Sequence, residues 1–591
     1  MNIRVLSRFC GRSIWRLACA RVAAAALGLA LFLPLLQAEI LDPARRVTWE
    51  AGVPGGIPER TTLFATVTDA PYNASNTGTA NTSTAIQNAI NACPSNQVVF
   101  LPAGIYRLDS ALKMKTGVSL RGAGPRRTIL RYNGADAQAI LFASGGYAWD
   151  FASSLKVPIT AGLAKGSTNL TVAANDWVPG DVLLVDELED NDMFENDGNS
   201  GTCTWCGREN GERCHSQIVE VLERTPTNVL FRPPLYSDFK SSQSPQAVRI
   251  AGMLRLAGIE SLGITNVNGS ARDTIVMEAA YKCWVKDCDV AVSHRRHCWM
   301  YHSIWCEFRD SSWHQGSGPD WSSPAYDPDR GYGIYLGQAS TSCRVENNDF
   351  WKLHFAIAFE GGCSGNVISY NFVTNVMYHE GETPQPALGN HGSHPMMNLW
   401  EGNILRSKIL MDAYWGSSSH TTIFRNRISN MFMNNGQEAL QYVFIFDIWR
   451  LNRYHNIVGN VLGTVGMENA VDAPNGYPYG GKYIYRIGFT DANDSAYAGN
   501  DPTVTGTLLR HGNWDSVTRG VLWDPSIGDT NLPPSLTYSS KPDWWGNLPW
   551  PAIGPDANPM DGVIPAQVRF FGGNSTSTKP QPPTNLRVLG P

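Results

Sequence analysis

The chain has 591 residues, a formal net charge of -5 and only 17% charged side chains. That balance excludes the basic footprint of a nucleic-acid binder, and the length is as compatible with one elongated domain as with two or three ordinary ones. Gly 56, Pro 36 and Trp 19 describe a turn-rich chain with aromatic rings to lay against sugar faces.

Arg4, Arg8, Arg12, Arg16 and Arg21 precede the apolar run "VAAAALGLALFLPLL", and "LQA" ends on the small Ala38. A basic segment, an apolar segment and a small-residue cleavage position make residues 1–38 a secretory signal peptide. Cys19 lies before the apolar run, which argues against a lipoprotein anchor, and no later run approaches the ~20 apolar residues of a membrane span. The expected product is secreted, extracellular or periplasmic, monomeric and without a membrane partner. Of 12 cysteines, Cys10 and Cys19 leave with the leader. The even remainder, in an exported chain, predicts disulfides.

In the segment 39–159, "TSTAIQNAINAC" places Ile86, Ala89, Ile90 and Cys93 at helical spacing behind Thr and Ser caps. The apolar stretches "VVFLPAGIY" and "GVSLRGAG" follow as strands punctuated by Gly and Pro. This helix followed by "FLPAGIYRL" and "VSLRGAG" resembles the opening of the pectate-lyase-like family of right-handed parallel β-helices, in which a helix caps the first coil. The resemblance extends over approximately residues 60 to 465 and implies a polysaccharide substrate.

Residues 160–250 read differently. "GSTNLTVAANDWVPGDVLLVDE" and "HSQIVEVLERTPTNVLFRPPL" predict a small antiparallel β insertion around "CTWCGRENGERCH". Cys203, Cys206, Cys214 and His215 have the residue types of a zinc site, although the compartment favours a disulfide.

Between residues 251 and 465 a repeat decides the fold. The segments "IESLGI", "VKDCDV", "FRDSSW", "VENNDF", "ISYNFV", "WEGNIL", "IFRNRI" and "IVGNVL" align on their fourth position, which is small or an amide in each except the first: Leu262, then Cys288, Ser311, Asn348, Asn371, Asn403, Asn426 and Asn460. The 23-residue step from 288 to 311 recurs from 348 to 371 and from 403 to 426. It has the length of one solenoid coil, and the longer steps are coils with loops inserted on one face. The asparagines are expected to stack, each amide bonding the neighbouring coil; Trp400 and Glu401 in "WEGN" are therefore structural. The predicted class is all-β: a right-handed parallel β-helix, a single-stranded solenoid, with an N-terminal capping helix and a small inserted β subdomain. Residues 466–571 wrap the last coils, and 572–591 is a linker-like tail.

The strand preceding each repeated position carries chemistry. In chain order it brings Glu278, His302, Tyr335, Glu360, then "NHGSHP" with His391 and His394, then Asp412 with Tyr414, then Asp447. Outward positions on successive coils form rows about 4.8 Å apart. Loops at 314–333, 375–392 and 429–441 precede this strand, and from them Trp321, Tyr326 and Tyr378, with Tyr335 on the strand, are candidate sugar-stacking residues. Hydrolysis needs two carboxylates about 5 to 9.5 Å apart, for which Glu360, Asp412 and Asp447 are candidates. Elimination needs a base for the proton α to a uronate carboxyl and a cation to neutralise that carboxyl. His391, His394, His420 or Tyr414 supply the base or acid, and Arg425 or a bound Ca²⁺ the cation. The chain carries neither the Asp set and Arg-Lys pair of polygalacturonases nor the calcium-aspartate and arginine arrangement of pectate lyases. Lyase and hydrolase both stand, on a polysaccharide that elimination would require to be acidic, and a non-catalytic polysaccharide-binding or surface protein is the alternative.

Overall fold

The structure, a computed structural model, describes residues 40–145, 154–190, 200–267, 271–316, 331–376, 385–429, 443–474, 481–489 and 501–572, with positions 149, 151, 195, 197–198, 433–434 and 437–438 between them. The leader, most of the tail, and Trp321, Tyr326 and Tyr378 lie outside the described residues.

Three long sheets of 12, 13 and 11 strands run the length of the molecule, and each coil contributes one strand to each, pairing in parallel with the coil before and after. This is a parallel β-helix. The helix Ser83–Ala92 buries Ile86, Ala89 and Ile90 against the first coil, which covers the open end of the apolar stack.

The repeated position lies at the sharp corner between the first and second sheets. The residue before it takes a left-handed backbone on coil after coil, at Asp310, Asn347, Tyr370, Gly402, Arg425 and Gly459. Inside the corner the side-chain amide of Asn348 donates to Asn371 at 3.1 Å, Asn371 to Asn403 at 3.0 Å, Asn403 to Asn426 at 2.8 Å and Asn426 to Asn460 at 3.1 Å. Asn460 in turn donates to Asn513 at 2.9 Å, so the repeat continues one coil into the segment expected only to wrap. Each buried amide is thus satisfied along the axis, which a polar group in a dry core requires.

The cysteines correct an expectation. Among the described residues the disulfide is Cys203–Cys206, and Cys93, Cys214, Cys283, Cys288, Cys298, Cys306, Cys343 and Cys363 are buried thiols. Counting parity fails because thiols here serve as small core residues. Cys283, Cys306 and Cys343 occupy one inner slot on successive coils, each just ahead of a register-matched strand, and Asn366 and Asn398 fill that slot further on. The Cys343 amide donates to Asn366 Oδ1 at 2.8 Å, which passes the stack from thiol to amide.

The insertion is a closed antiparallel barrel of six strands, from Lys156–Ala161 to Gln246–Arg249, around Val157, Leu183, Val219 and Phe231. It docks on the coils through the Ile218 amide, which donates to Thr341 Oγ1 at 2.9 Å, and through Tyr236, whose hydroxyl lies 2.6 Å from Ser342 Oγ. Its long loop between Val182–Glu187 and His215–Arg224 carries the cysteine cluster back over the third sheet. Cys203, Cys206, Cys214 and His215 do not converge as one ligand set among the described residues: Cys203 and Cys206 bond each other, and His215 is held by Glu187 at 2.7 Å and Ser237 at 2.6 Å.

Candidate functional site

The strand register sorts the outer face of the third sheet into rows. One row runs Val276, Trp299, Tyr335, Ala358, Gly389, Leu410, Asp447, Arg486. The row two positions further along each strand runs Glu278, Tyr301, Gly337, then Glu360, His391 and Asp412, which follow directly on register-paired residues. Period-two alternation puts both rows on one face. Over the coils that carry Trp299, Tyr335, Glu360 and His391 this face holds a cavity of ≈ 400 Å³.

Three guanidiniums, from Arg272, Arg295 and Arg296, line this cavity with Glu360, Tyr335, Gln338 and His391. Trp149, Trp205, Trp299, Trp415 and Tyr332 supply apolar walls. Arg296 is fixed by Asp273, with bonds of 2.6 and 3.1 Å, and its guanidinium lies 4.0 Å from the centre of the Trp299 ring. A paired, stacked guanidinium is rigid and pre-aimed, which suits recognition of a carboxylate. His391 Nδ1 lies 2.7 Å from Asp412 Oδ2; the imidazole is a quarter exposed, whereas the carboxylate is buried behind it. Burial pushes the Glu360 carboxyl above its ordinary range, while Arg296, His391, Tyr335 and Trp205 pull it back. Burial, then the Glu360 charge, pushes the Tyr335 hydroxyl well above its ordinary value, so it remains a proton donor.

Of the residues singled out in the sequence, Tyr335, Glu360 and His391 meet in the cavity, with Asp412 directly behind His391. Tyr414 donates its backbone N–H to Asp412 Oδ1 at 3.2 Å and packs its ring 5.1 Å from Trp449, outside the cavity lining. Four others lie outside the cavity lining. His394 is fully buried in the seam with the barrel, 2.9 Å from Ser419 Oγ, and burial keeps it neutral. His420 occupies a left-handed corner position stacked on Tyr454 at 5.0 Å. Arg425 turns away from the third sheet and grips the C-terminal wrap, donating twice to Asp556 at 2.7 Å and also to the Pro533, Leu532 and Ile553 carbonyls. Asp447 pairs with Arg486 at 2.6 Å, in register with Leu410 rather than Asp412.

The cationic side of the cavity was missed. "HRRHCWMY" does hold Arg295 and Arg296 side by side with Trp299 three positions after Arg296, on the strand Arg296–Tyr301 and its entry, and strict alternation could have placed Trp299 beside Tyr335. Trp205 and Trp149 come from the insertion and its approach, which no coil pattern locates. Ca²⁺ does not fit the cavity: it takes six to eight oxygens, and the lining offers the Glu360 carboxylate facing guanidiniums.

Residues 64–196 match the family model described as rhamnogalacturonase A/epimerase, pectate lyase-like. The matched segment covers the capping helix, the first coils and the start of the barrel, and ends before Glu360 and His391. No curated protein sequence matches with significance. Among solved structures, the tailspike protein gp49 from Pseudomonas phage LKA1 is 14% identical with a TM-score of 0.47, over 66% of this chain and 62% of the tailspike chain. The Gp54 tailspike of Acinetobacter baumannii bacteriophage AP22, solved with A. baumannii capsular saccharide, is 10% identical with a TM-score of 0.36, over 74% of this chain and 69% of its own. The A-module of the Azotobacter vinelandii mannuronan C-5 epimerase AlgE4 is 11% identical with a TM-score of 0.36, over 70% of this chain and 92% of its own.

Proposed function

We propose that the protein is a secreted enzyme that cleaves an acidic, uronate-containing polysaccharide by β-elimination in the cavity on the third sheet. The observation that carries this reading is the pairing of a buried-carboxylate-backed imidazole, His391 on Asp412, with the guanidinium cluster around Arg296. Guanidiniums neutralise the uronate carboxylate and so acidify the proton α to it. Asp412 holds Nδ1 of His391, which directs proton uptake to Nε2 and stabilises the imidazolium that forms. The C5–H bond breaks, the electron pair becomes the C4–C5 double bond, and the C4–O bond to the leaving chain breaks. Tyr335, held protonated by burial, gives its proton to that oxygen.

Hydrolysis has one observation in its favour, the raised Glu360 carboxyl, which is what a general acid needs. Its second carboxylate is harder to supply, because Asp273 is engaged by Arg296 and Asp412 by His391. Incubation with a panel of uronate polymers and neutral glycans separates the readings. Elimination yields the ultraviolet absorbance of an unsaturated sugar, on acidic polymers only. New reducing ends without that absorbance mean hydrolysis, and retention on a glycan gel with neither signal means binding alone.

A further inference from the structure

The inserted barrel reaches the cavity at one point, the loop closed by Cys203–Cys206. Trp205 sits between the two cysteines and lines the cavity. Its indole is among the groups that pull the Glu360 carboxyl back down against burial, and its carbonyl accepts from the Gln338 amide. The disulfide is fully buried and packs behind the same carboxylate: a Cβ added at Gly392 would lie 3.3 Å from Cys206 Sγ and 3.4 Å from Glu360 Cβ. Gly392 has a φ of +99°, a conformation that favours glycine, so the backbone there leaves room for the two to meet. The other cysteines among the described residues are buried thiols within the core or beneath the loop, so a reductant has one bond to break.

We infer that Trp205 is a positioning residue for Glu360 and that the Cys203–Cys206 disulfide, by fixing Trp205, couples the titration of that carboxylate to the oxidised state of the loop. Reduction adds two electrons and two protons, supplied by a dithiol, to give two cysteine thiols and the oxidised reagent. The loop then loses its short closure, and Trp205 its fixed approach to the carboxylate. The groups facing Glu360 are Arg296, His391, Tyr335, Trp205 and the Cys363 thiol. Of these, only Trp205 comes from the barrel. A donor to a carboxylate favours its ionised form, so removing the indole N–H moves the Glu360 titration to higher pH.

The inference rests on the cavity being the acting site, and its test has one arm that needs no substrate. Without substrate, the tryptophan fluorescence difference between the wild type and Trp205→Phe is followed against pH. It is expected to titrate with Glu360, to be abolished in Glu360→Gln, and to be lost on dithiothreitol treatment or in Cys203→Ser/Cys206→Ser. With a cleaved uronate polymer, Trp205→Phe and the double serine variant are expected to change the kcat/KM profile against pH in the same sense, and dithiothreitol reproduces that change in the wild type alone. Trp205→Phe keeps the disulfide, so a folding loss in the double variant does not decide the outcome. A wild-type fluorescence titration and pH profile in Trp205→Phe would overturn the inference. An end to activity on every acidic polymer, with the substrate-free titration as expected, overturns the elimination reading and leaves the positioning role standing.

Discussion

At the corner between the first and second sheets, Asn348, Asn371, Asn403, Asn426, Asn460 and Asn513 are joined by the same hydrogen bond, made five times across six successive coils. On the outer face of the third sheet the same coils present Tyr335, Ala358, Gly389, Leu410, Asp447 and Arg486 in one register row, and no residue repeats. The corner is dry and every group there must find a partner one coil away, so one solution is copied. On the third sheet the backbone ladder alone holds the register, so side chains on its outer face need not repeat and are released for recognition. Coils therefore separate stability from chemistry by position within a turn, and substitutions at the two places are expected to fail in different ways.

The largest effect belongs to the outer face. His391→Ala removes the proposed base from a partly exposed position whose neighbours are not packed on it as a core. Loss of a general base costs about 10² to 10⁴ in rate, and kcat/KM on a uronate polymer is expected to fall by about 10³ with a smaller drop in melting temperature than a ladder variant shows, since Asp412 loses one partner and keeps the Tyr414 N–H. Full activity in this variant would remove the dyad from the mechanism. A drop in melting temperature comparable to that of a ladder variant would erase the contrast between the two regions.

The corner is next. Asn371→Ala takes the acceptor from the backbone and side-chain N–H groups of Asn348 and the donor from the Val345 carbonyl, all buried. Each orphaned buried group costs about 1 to 3 kcal/mol, and because the groups sit in one chain of bonds the sum is expected to reach about 3 kcal/mol or more. Denaturant unfolding measures this. Activity per folded molecule should be that of the wild type, since the corner contributes nothing to the cavity lining.

The same contrast explains what was legible in the sequence. The ladder could be read from Asn348 to Asn460 because a copied solution leaves a period, and it was lost at Asn513 because the intervening segment from 463 to 509 hides the step. Cys283, Cys306 and Cys343 were misread for the reverse reason. They are part of a copied slot, but a thiol in that slot looks in sequence like half of a disulfide. On the outer face, chain order placed Glu360, His391 and Asp412 on successive coils, yet could not tell Asp412 from Asp447. A two-residue offset in register separates a carboxylate behind the imidazole from one paired with Arg486. Arg425 was assigned to the groove by its charge, although its left-handed corner position turns it toward Asp556. Trp205 was beyond reach because its position depends on how a barrel docks, not on the coil.

The smallest effect tests the seam between barrel and coils, which resembles the corner in being dry but is filled with imidazoles rather than amides. Burial lowers His420 and His455 to about 3, and on the coils nearer the cavity it lowers His302 to about 3 and His297 to about 4, from an ordinary 6.5. Between those values and 6.5 the unfolded chain binds protons that the folded chain refuses, so stability rises with pH across that window. The contribution is fully present above about pH 6.5 and is lost progressively as the pH falls toward 3. Amide ladders do not titrate, so a seam of asparagines would show no such slope. His420→Gln removes one titrating group at a position that is not fully enclosed, and the slope of unfolding free energy against pH near pH 5 is expected to fall by about one proton, which corresponds to about 1.4 kcal/mol per pH unit. An unchanged slope would mean that His420 is protonated in the folded protein, and that the seam tolerates charge where the asparagine corner does not.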